Sequence, residues 1–444
     1  MIDLKNKKVV VFGLGVSGLS ALKLLNRLGA ITFAVNSGNV ESWAKSPGVL
    51  DYTVLKNCFA DNSEAAKEMM ATADIIILSP GIPRDHFVLT SANQKNIPIW
   101  GEIELGYKVI EHFNALKPII AITGTNGKTT TTTFLGEILE DQGLRPFVGG
   151  NIGVPFCDMA LEVINQTANY DYIVLELSSF QLESTFDFHP HISMILNVFQ
   201  NHGERYTEIL DYARAKFNIT KKMTAADYLI YPTDYPIIES WAKTLKCQTI
   251  GFDTRNFSID FDLSKFKLPG QHNKVNLNFL IKVMEILKLD RNKFQMSIDR
   301  FNGVHHRIEY VPNQLGFTAY NDAKSTNWDA TLTAIAAMED KSKDLYLILG
   351  GKKRGHGDSI LPYIEAIKAR VKRIYLIGEM ALEIEAEIKN IIEYKKLETL
   401  ENTIQDVKAE NFQGILLFSP AFPSFDQFSN YAERGKTFVN LLKN

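Results

Sequence analysis

The chain has 444 residues, 45% hydrophobic and 22% charged, more than one hydrophobic core organises, which predicts two to four domains of roughly 100–200 residues each. Lys and Arg number 48 against 51 Asp and Glu, for a formal charge of −3, so no basic excess is available to neutralise a nucleic-acid backbone. The three cysteines, Cys58, Cys157 and Cys247, lie far apart without a CxxC, which excludes a disulfide framework and a Cys-built zinc site.

In chain order, the N-terminus MIDLKNKKVVVFGLG breaks into glycines after about five apolar residues, too few for a signal-peptide core, and no run approaches the ~18 residues of a membrane span. The expectation is a cytoplasmic chain with no membrane or nucleic-acid partner. Residues 9–15, 31–35 and 73–81 read as short buried strands, with a helical pattern after the first. This βαβ rhythm predicts a parallel sheet. A second round opens at PIIAITGTNGKTT, 118–130, and continues with a helix and strands at 170–177 and 191–198. A third follows FNGVHHRIEYV, 301–311, with buried strands at 344–351, 371–378 and 414–420. The fold class expected is α/β in three domains: a Rossmann-like one over 1–101, a central P-loop ATPase-like one with a parallel sheet over 102–304, and a second Rossmann-like one over 305–444.

Gly13-Leu14-Gly15-Val16-Ser17-Gly18 lies between strand and helix, where GxGxxG lets backbone N–H groups receive a pyrophosphate. A dinucleotide, a nucleotide-linked substrate and a plain strand-to-helix turn all fit. The dehydrogenase reading also asks for an acid at the end of the second strand, and that strand ends Val35-Asn36-Ser37. Gly124-Thr125-Asn126-Gly127-Lys128-Thr129-Thr130 likewise joins a strand to a helix. It is a P-loop variant with Ile122 where the strict motif has glycine, suited to ATP, with Thr129 as a hydroxyl for Mg²⁺. Glu176 and His202 close later strands at what would be the same sheet edge, although either residue also fits a plain strand end.

Taken together, GTNGKTTTT, GGNIG at 149–153, ELSSFQLE at 176–183, Asn201-His202, YARAK at 212–216, GQHNKVN at 270–276, HHRIE at 305–309, NDAKSTN at 321–327 and SPAFPSFDQF at 419–428 occur in the order seen in Mur ligases. The chain resembles that family over essentially its whole length, and within it the MurD-type branch, which adds D-glutamate to UDP-N-acetylmuramoyl-L-alanine. Folylpolyglutamate synthetase is a more distant relative without the N-terminal nucleotide-sugar domain.

The resemblance implies an ATP-dependent carbon–nitrogen ligase of peptidoglycan precursor synthesis, acting through an acyl phosphate as a monomeric chain of three domains. It implies two magnesium ions, with Thr129 and Glu176 at one and His202 at the other, and a CO2-derived carbamate on Lys216 as a further oxygen ligand. Lys128 and the phosphate loop would hold the ATP phosphates, Asn273 and Asn276 the adenine, and Arg307 and Asp322 the nucleotide from the C-terminal domain. For the uridine diphosphate portion it points to Ser17, Gly18, Asn36, Ser37 and Ser79 to Ile82, including Gly81. Asn151, Ser178 and Gln181 match the muramoyl and alanyl end, and Lys324, Thr326, Ser424 and Tyr431 match the D-glutamate site. Three departures stand out: Asn201 where the family usually has Asp, Asn36 where an acid is usual at the uracil end, and the loop GGKKRGHGD at 350–358, which leaves Lys353 and Arg354 as alternative amino-acid contacts. Two other classes remain open on the residues alone: a nicotinamide dehydrogenase built on the glycine loop, and a nucleotide-binding protein without ligase activity.

Overall fold

A computed structural model describes residues 3–443 apart from 46, 47, 201, 202, 204, 356, 411 and 412. Its elements form three sheets. The first has strands β1 (Lys8–Phe12), β2 (Ile31–Asn36), β3 (Cys58–Ala60), β4 (Ile75–Leu78) and β5 (Ile99–Trp100), all parallel in the order β3-β2-β1-β4-β5. Alternation along β1 explains its central place: Val9 and Val11 enter one apolar cluster while Val10 and Phe12 enter another on the opposite face. Such a strand needs cover on both sides, as parallel sheets do. The helix Val16–Arg27 supplies part of it through Ala21, Leu22, Leu24 and Leu25.

The second sheet comprises β6 (Ile119–Thr123), β7 (Pro146–Gly150), β8 (Tyr172–Glu176), β9 (Ile192–Ile195), β10 (Tyr228–Pro232) and β11 (Gln248–Phe252). It too is parallel, in the order β11-β10-β9-β6-β8-β7. Every residue of β6 is buried, and its neighbours β8 and β9 bring Glu176 and Asn197 to the edge where the phosphate loop leaves β6. Ligand sites in such sheets lie at the C-terminal strand ends where the strand order reverses.

The third sheet runs β12 (Glu309–Val311), β13 (Thr318–Asn321), β14 (Leu345–Gly350), β15 (Val371–Ile377), β16 (Glu393–Glu398) and β17 (Ile415–Phe418). Its order is β12-β13-β17-β14-β15-β16, and only the β12–β13 pair is antiparallel. Two compact units emerge: Met1–Asp260 with Asn276–Phe294, holding the first two sheets, and Phe261–Val275 with Gln295–Asn444, holding the third. No described helix is long and apolar enough to cross a membrane.

Candidate active site

The glycine loop closes tightly on the end of β1. A Cβ on Gly18 would lie 1.9 Å from the Gly13 carbonyl oxygen, so only glycine lets the helix start directly beneath the loop. Ser79, after β4, donates from Oγ to that carbonyl at 2.8 Å. Above them opens a cleft of about 500 Å³ lined by Ser17, Asn36, Ser37, Ser79 and Gly81, among others. Of the sequence candidates for the uridine diphosphate end, Gly18 alone sits behind the lining, buried under the loop. Asp61 and His86 line the same cleft, and no sequence motif had singled them out.

In the second sheet, Gly127 takes φ +85° and opens the helix Lys128–Asp141, whose first turn has no side-chain cap. A Cβ there would come 2.7 Å from Asn276 Oδ1, which places Asn276 against the loop. Asn197 shapes the loop from β9: its Oδ1 accepts the N–H groups of Thr125 at 3.0 Å and Asn126 at 2.9 Å, and its Nδ2 donates to the Asn126 carbonyl at 3.1 Å. Lys128 Nζ donates to the carbonyls of Gly124 at 2.8 Å and Thr125 at 3.0 Å.

Lys216, on the helix Ile209–Phe217, is 1% exposed and donates to the same Gly124 carbonyl at 2.9 Å, with its Nζ 4.3 Å from the centroid of the Tyr212 ring. Burial, with the Lys128 charge nearby, pushes its pKa down to about 6, so its amine is neutral at neutral pH. Glu176 is 2% exposed. One of its oxygens accepts Asn151 Nδ2 at 2.8 Å, and Oε2 is buried without a partner among the described residues. A buried carboxylate oxygen beside a phosphate loop suits a hard cation, and Thr129 stands in the first turn of the adjoining helix. Ser178 and Gln181 are bound to each other in a capping box at the start of the helix Ser179–Leu182. His202 and Asn201 lie outside the described residues.

The remaining candidates belong to the other unit. Asn273 Nδ2 donates to the Pro269 carbonyl at 2.7 Å. Asp322 accepts Ser419 Oγ at 2.8 Å and the Ile308 N–H at 3.2 Å. Burial raises its pKa to about 7 against those bonds and the Arg307 charge. Arg307 is exposed. Lys324 Nζ lies 5.5 Å from the Tyr431 ring centroid, and Ser424 is 2% exposed after β17. Of the two alternatives in the 350–358 loop, Arg354 donates to the Thr326 carbonyl at 2.8 Å and pairs with Asp358, whereas Lys353 pairs with Glu383. Arg354 is therefore the one joined to the candidate amino-acid residues. Arg434, 1% exposed, donates from one nitrogen to the carbonyls of Ala323 and Phe422 at 2.9 and 3.0 Å. It ties the segment carrying Lys324 to the one carrying Ser424, and only its long-range contacts reveal this.

Two family models match the chain: the Mur ligase middle domain over 122–299 and the Mur ligase MurD-like N-terminal domain over 7–101. The UDP-N-acetylmuramoylalanine–D-glutamate ligase of Koribacter versatilis (strain Ellin345) is 34% identical, with 100% of this chain and 98% of that protein aligned. The ligase of the same name from Fusobacterium nucleatum subsp. nucleatum is 35% identical over 98% and 99% of the two chains. Among solved structures, MurF from Acinetobacter baumannii aligns with TM-score 0.56 at 18% identity, covering 83% of this chain and 85% of that one. MurF from Thermotoga maritima in complex with ADP aligns with TM-score 0.55 at 14% identity, covering 99% and 95%. These two structures share the fold.

Proposed function

The chain belongs to the Mur ligase family, and from that premise we propose how its residues carry the reaction: ATP-dependent addition of D-glutamate to UDP-N-acetylmuramoyl-L-alanine in peptidoglycan precursor synthesis. An oxygen of the alanyl carboxylate attacks the γ-phosphorus of ATP, and ADP leaves. The amine of D-glutamate then attacks the acyl carbon of the resulting acyl phosphate, the proton passes to solvent or a base, and phosphate leaves as the amide forms. Both steps concentrate negative charge, so catalysis here is positioning and electrostatic stabilisation.

The observation that supports this most is the meeting of two lysines on one carbonyl. Lys128 and Lys216 both donate to Gly124 O, at 2.8 and 2.9 Å, which puts one cation and one buried amine beside the loop where a triphosphate would lie. Lys128, Thr129, Thr130 and the loop residues Gly124 to Gly127 are assigned to the phosphates. Asn273, Asn276, Arg307 and Asp322 are assigned to the rest of the nucleotide. Thr129 and Glu176 would hold one magnesium ion, and His202 with a carbamate on Lys216 a second; bound magnesium would offset the charge of the triphosphate and the acyl phosphate. The neutral Lys216 amine suits carbamate formation: its lone pair adds to the carbon of CO2, an N–C bond forms, and a proton is released. Asn151, Ser178 and Gln181 are assigned to the muramoyl and alanyl end. Lys324, Thr326, Ser424 and Tyr431 are assigned to D-glutamate, joined by Arg354. The division of work follows 1–101, 102–304 and 305–444, in a monomeric cytoplasmic enzyme.

The test is Lys216→Ala. With the carbamate lost, turnover falls by about a hundredfold or more while ATP binding persists, since one oxygen ligand goes and Lys128 stays. Acetate at fixed ionic strength refills the space and restores part of the rate. Near-normal turnover without acetate would remove Lys216 from the site.

A further inference from the structure

We propose that Asp61 and His86 read the base of the nucleotide-linked substrate, selecting uracil over cytosine. The proposal rests on the reading of the first-sheet cleft as the uridine diphosphate site, and adds to it two residues outside every motif of that reading.

Three neighbouring strands of the first sheet, β1, β2 and β3, end at this cleft and contribute Gly13 to Ser17, Asn36 with Ser37, and Asp61 in turn. A pyrophosphate belongs at the glycine loop, where backbone N–H groups open a helix. The nucleoside then extends along the ends of β2 and β3, and Asp61 falls at the base end. Its backbone is fixed by an N–H bond to the Asn36 carbonyl at 3.1 Å. His86 stands on the other wall with its ring edge-on to Phe12, centroids 5.1 Å apart, and beside Phe87 at 4.6 Å.

The pair has a defined polarity. His86 Nδ1 accepts the Val88 N–H at 3.4 Å, so in the neutral ring the proton sits on Nε2. Nε2 lies 3.9 Å from Asp61 Oδ2, with side-chain exposures of 21% and 18%. That separation exceeds a hydrogen bond and leaves an acceptor and a donor side by side, facing the cleft. Uracil presents the complement along one edge, the N3–H donor beside the O4 acceptor. Cytosine presents the reverse at the same two positions, a bare N3 beside an amino group. With the sugar and pyrophosphate anchored, the base cannot slide to correct the mismatch, and a carboxylate opposite the N3 lone pair is repulsive.

Calorimetric binding of UDP and of CDP to the full-length protein, its Asp61→Asn variant and its Asp61→Ala variant tests this. The wild type should bind UDP about tenfold or more tighter than CDP, in the range one paired hydrogen-bond edge provides. In both variants the preference should fall by about threefold or more, because an alanine offers no acceptor and a carboxamide turns to suit either base, while the His86 donor keeps a smaller preference for O4. The Asn variant keeps the shape of the site, so its melting temperature should match the wild type. A UDP preference that persists undiminished in both variants, or a wild type indifferent to the base, overturns the role of Asp61. A wild type that binds neither nucleotide overturns the uridine diphosphate reading beneath it.

Discussion

Glu102 opens the helix Glu102–His112 and is 2% exposed. Its Oε1 accepts the Cys157 N–H at 2.6 Å, while Oε2 is buried without a partner among the described residues. Burial outweighs that bond and raises the carboxyl pKa from 4.5 to about 7. Between those two values the folded chain binds more protons than the unfolded one, so this group's contribution to stability is intact below about pH 4.5 and is lost as pH rises through 7. Glu102→Gln keeps the acceptor for Cys157 and removes the titration. The variant should gain on the wild type from pH 5 to pH 8, by on the order of 2–3 kcal/mol at the upper end. Denaturant melts at several pH values measure it, and a difference that does not change with pH would show that Glu102 does not titrate in this window. Lys216 is another group driven toward neutrality by burial.

The helix Lys128–Asp141 begins with five consecutive threonines after its lysine, residues of modest helix propensity. Packing compensates, since Thr131, Thr132, Phe134, Leu135, Ile138 and Leu139 are buried, and the loop ahead of the helix is held by Asn197. Asn197→Ala removes three hydrogen bonds to Thr125 and Asn126 and leaves the sheet intact. At about 0.5–1.5 kcal/mol for each bond, KM for ATP should rise by roughly tenfold or more, with KM for D-glutamate little changed. Equal rises in both constants would mean that Asn197 does not act through the loop.

The glycine loop and phosphate loop were legible because their signal is local: glycines and a lysine at fixed spacing between strand and helix. Buried strands such as β1 and β14 were legible because both faces are apolar. Edge strands carry no such pattern: β16 reads EYKKLE and has no fully buried residue, and β11 is largely exposed. Asn197 was hidden for a different reason. Only the placement of β9 beside β6 turns an ordinary strand-end asparagine into a clamp on the phosphate loop. Asp61 and Arg434 depend in the same way on neighbours distant in sequence.

At the scale of the whole molecule, the sheet edges of one unit gather the glycine-loop cleft and the phosphate loop, and the other unit gathers Lys324, Thr326, Arg354 and Ser424. An enzyme so built should couple phosphate release to its full set of substrates, because the acyl phosphate forms on one substrate and is consumed by another. The most direct measurement is phosphate release from ATP with UDP-N-acetylmuramoyl-L-alanine present, comparing D-glutamate with L-glutamate, L-alanine and meso-diaminopimelate. Sustained release should require D-glutamate and match amide product mole for mole. Release that proceeds equally without any amino acid, or equally with all four, would contradict the account.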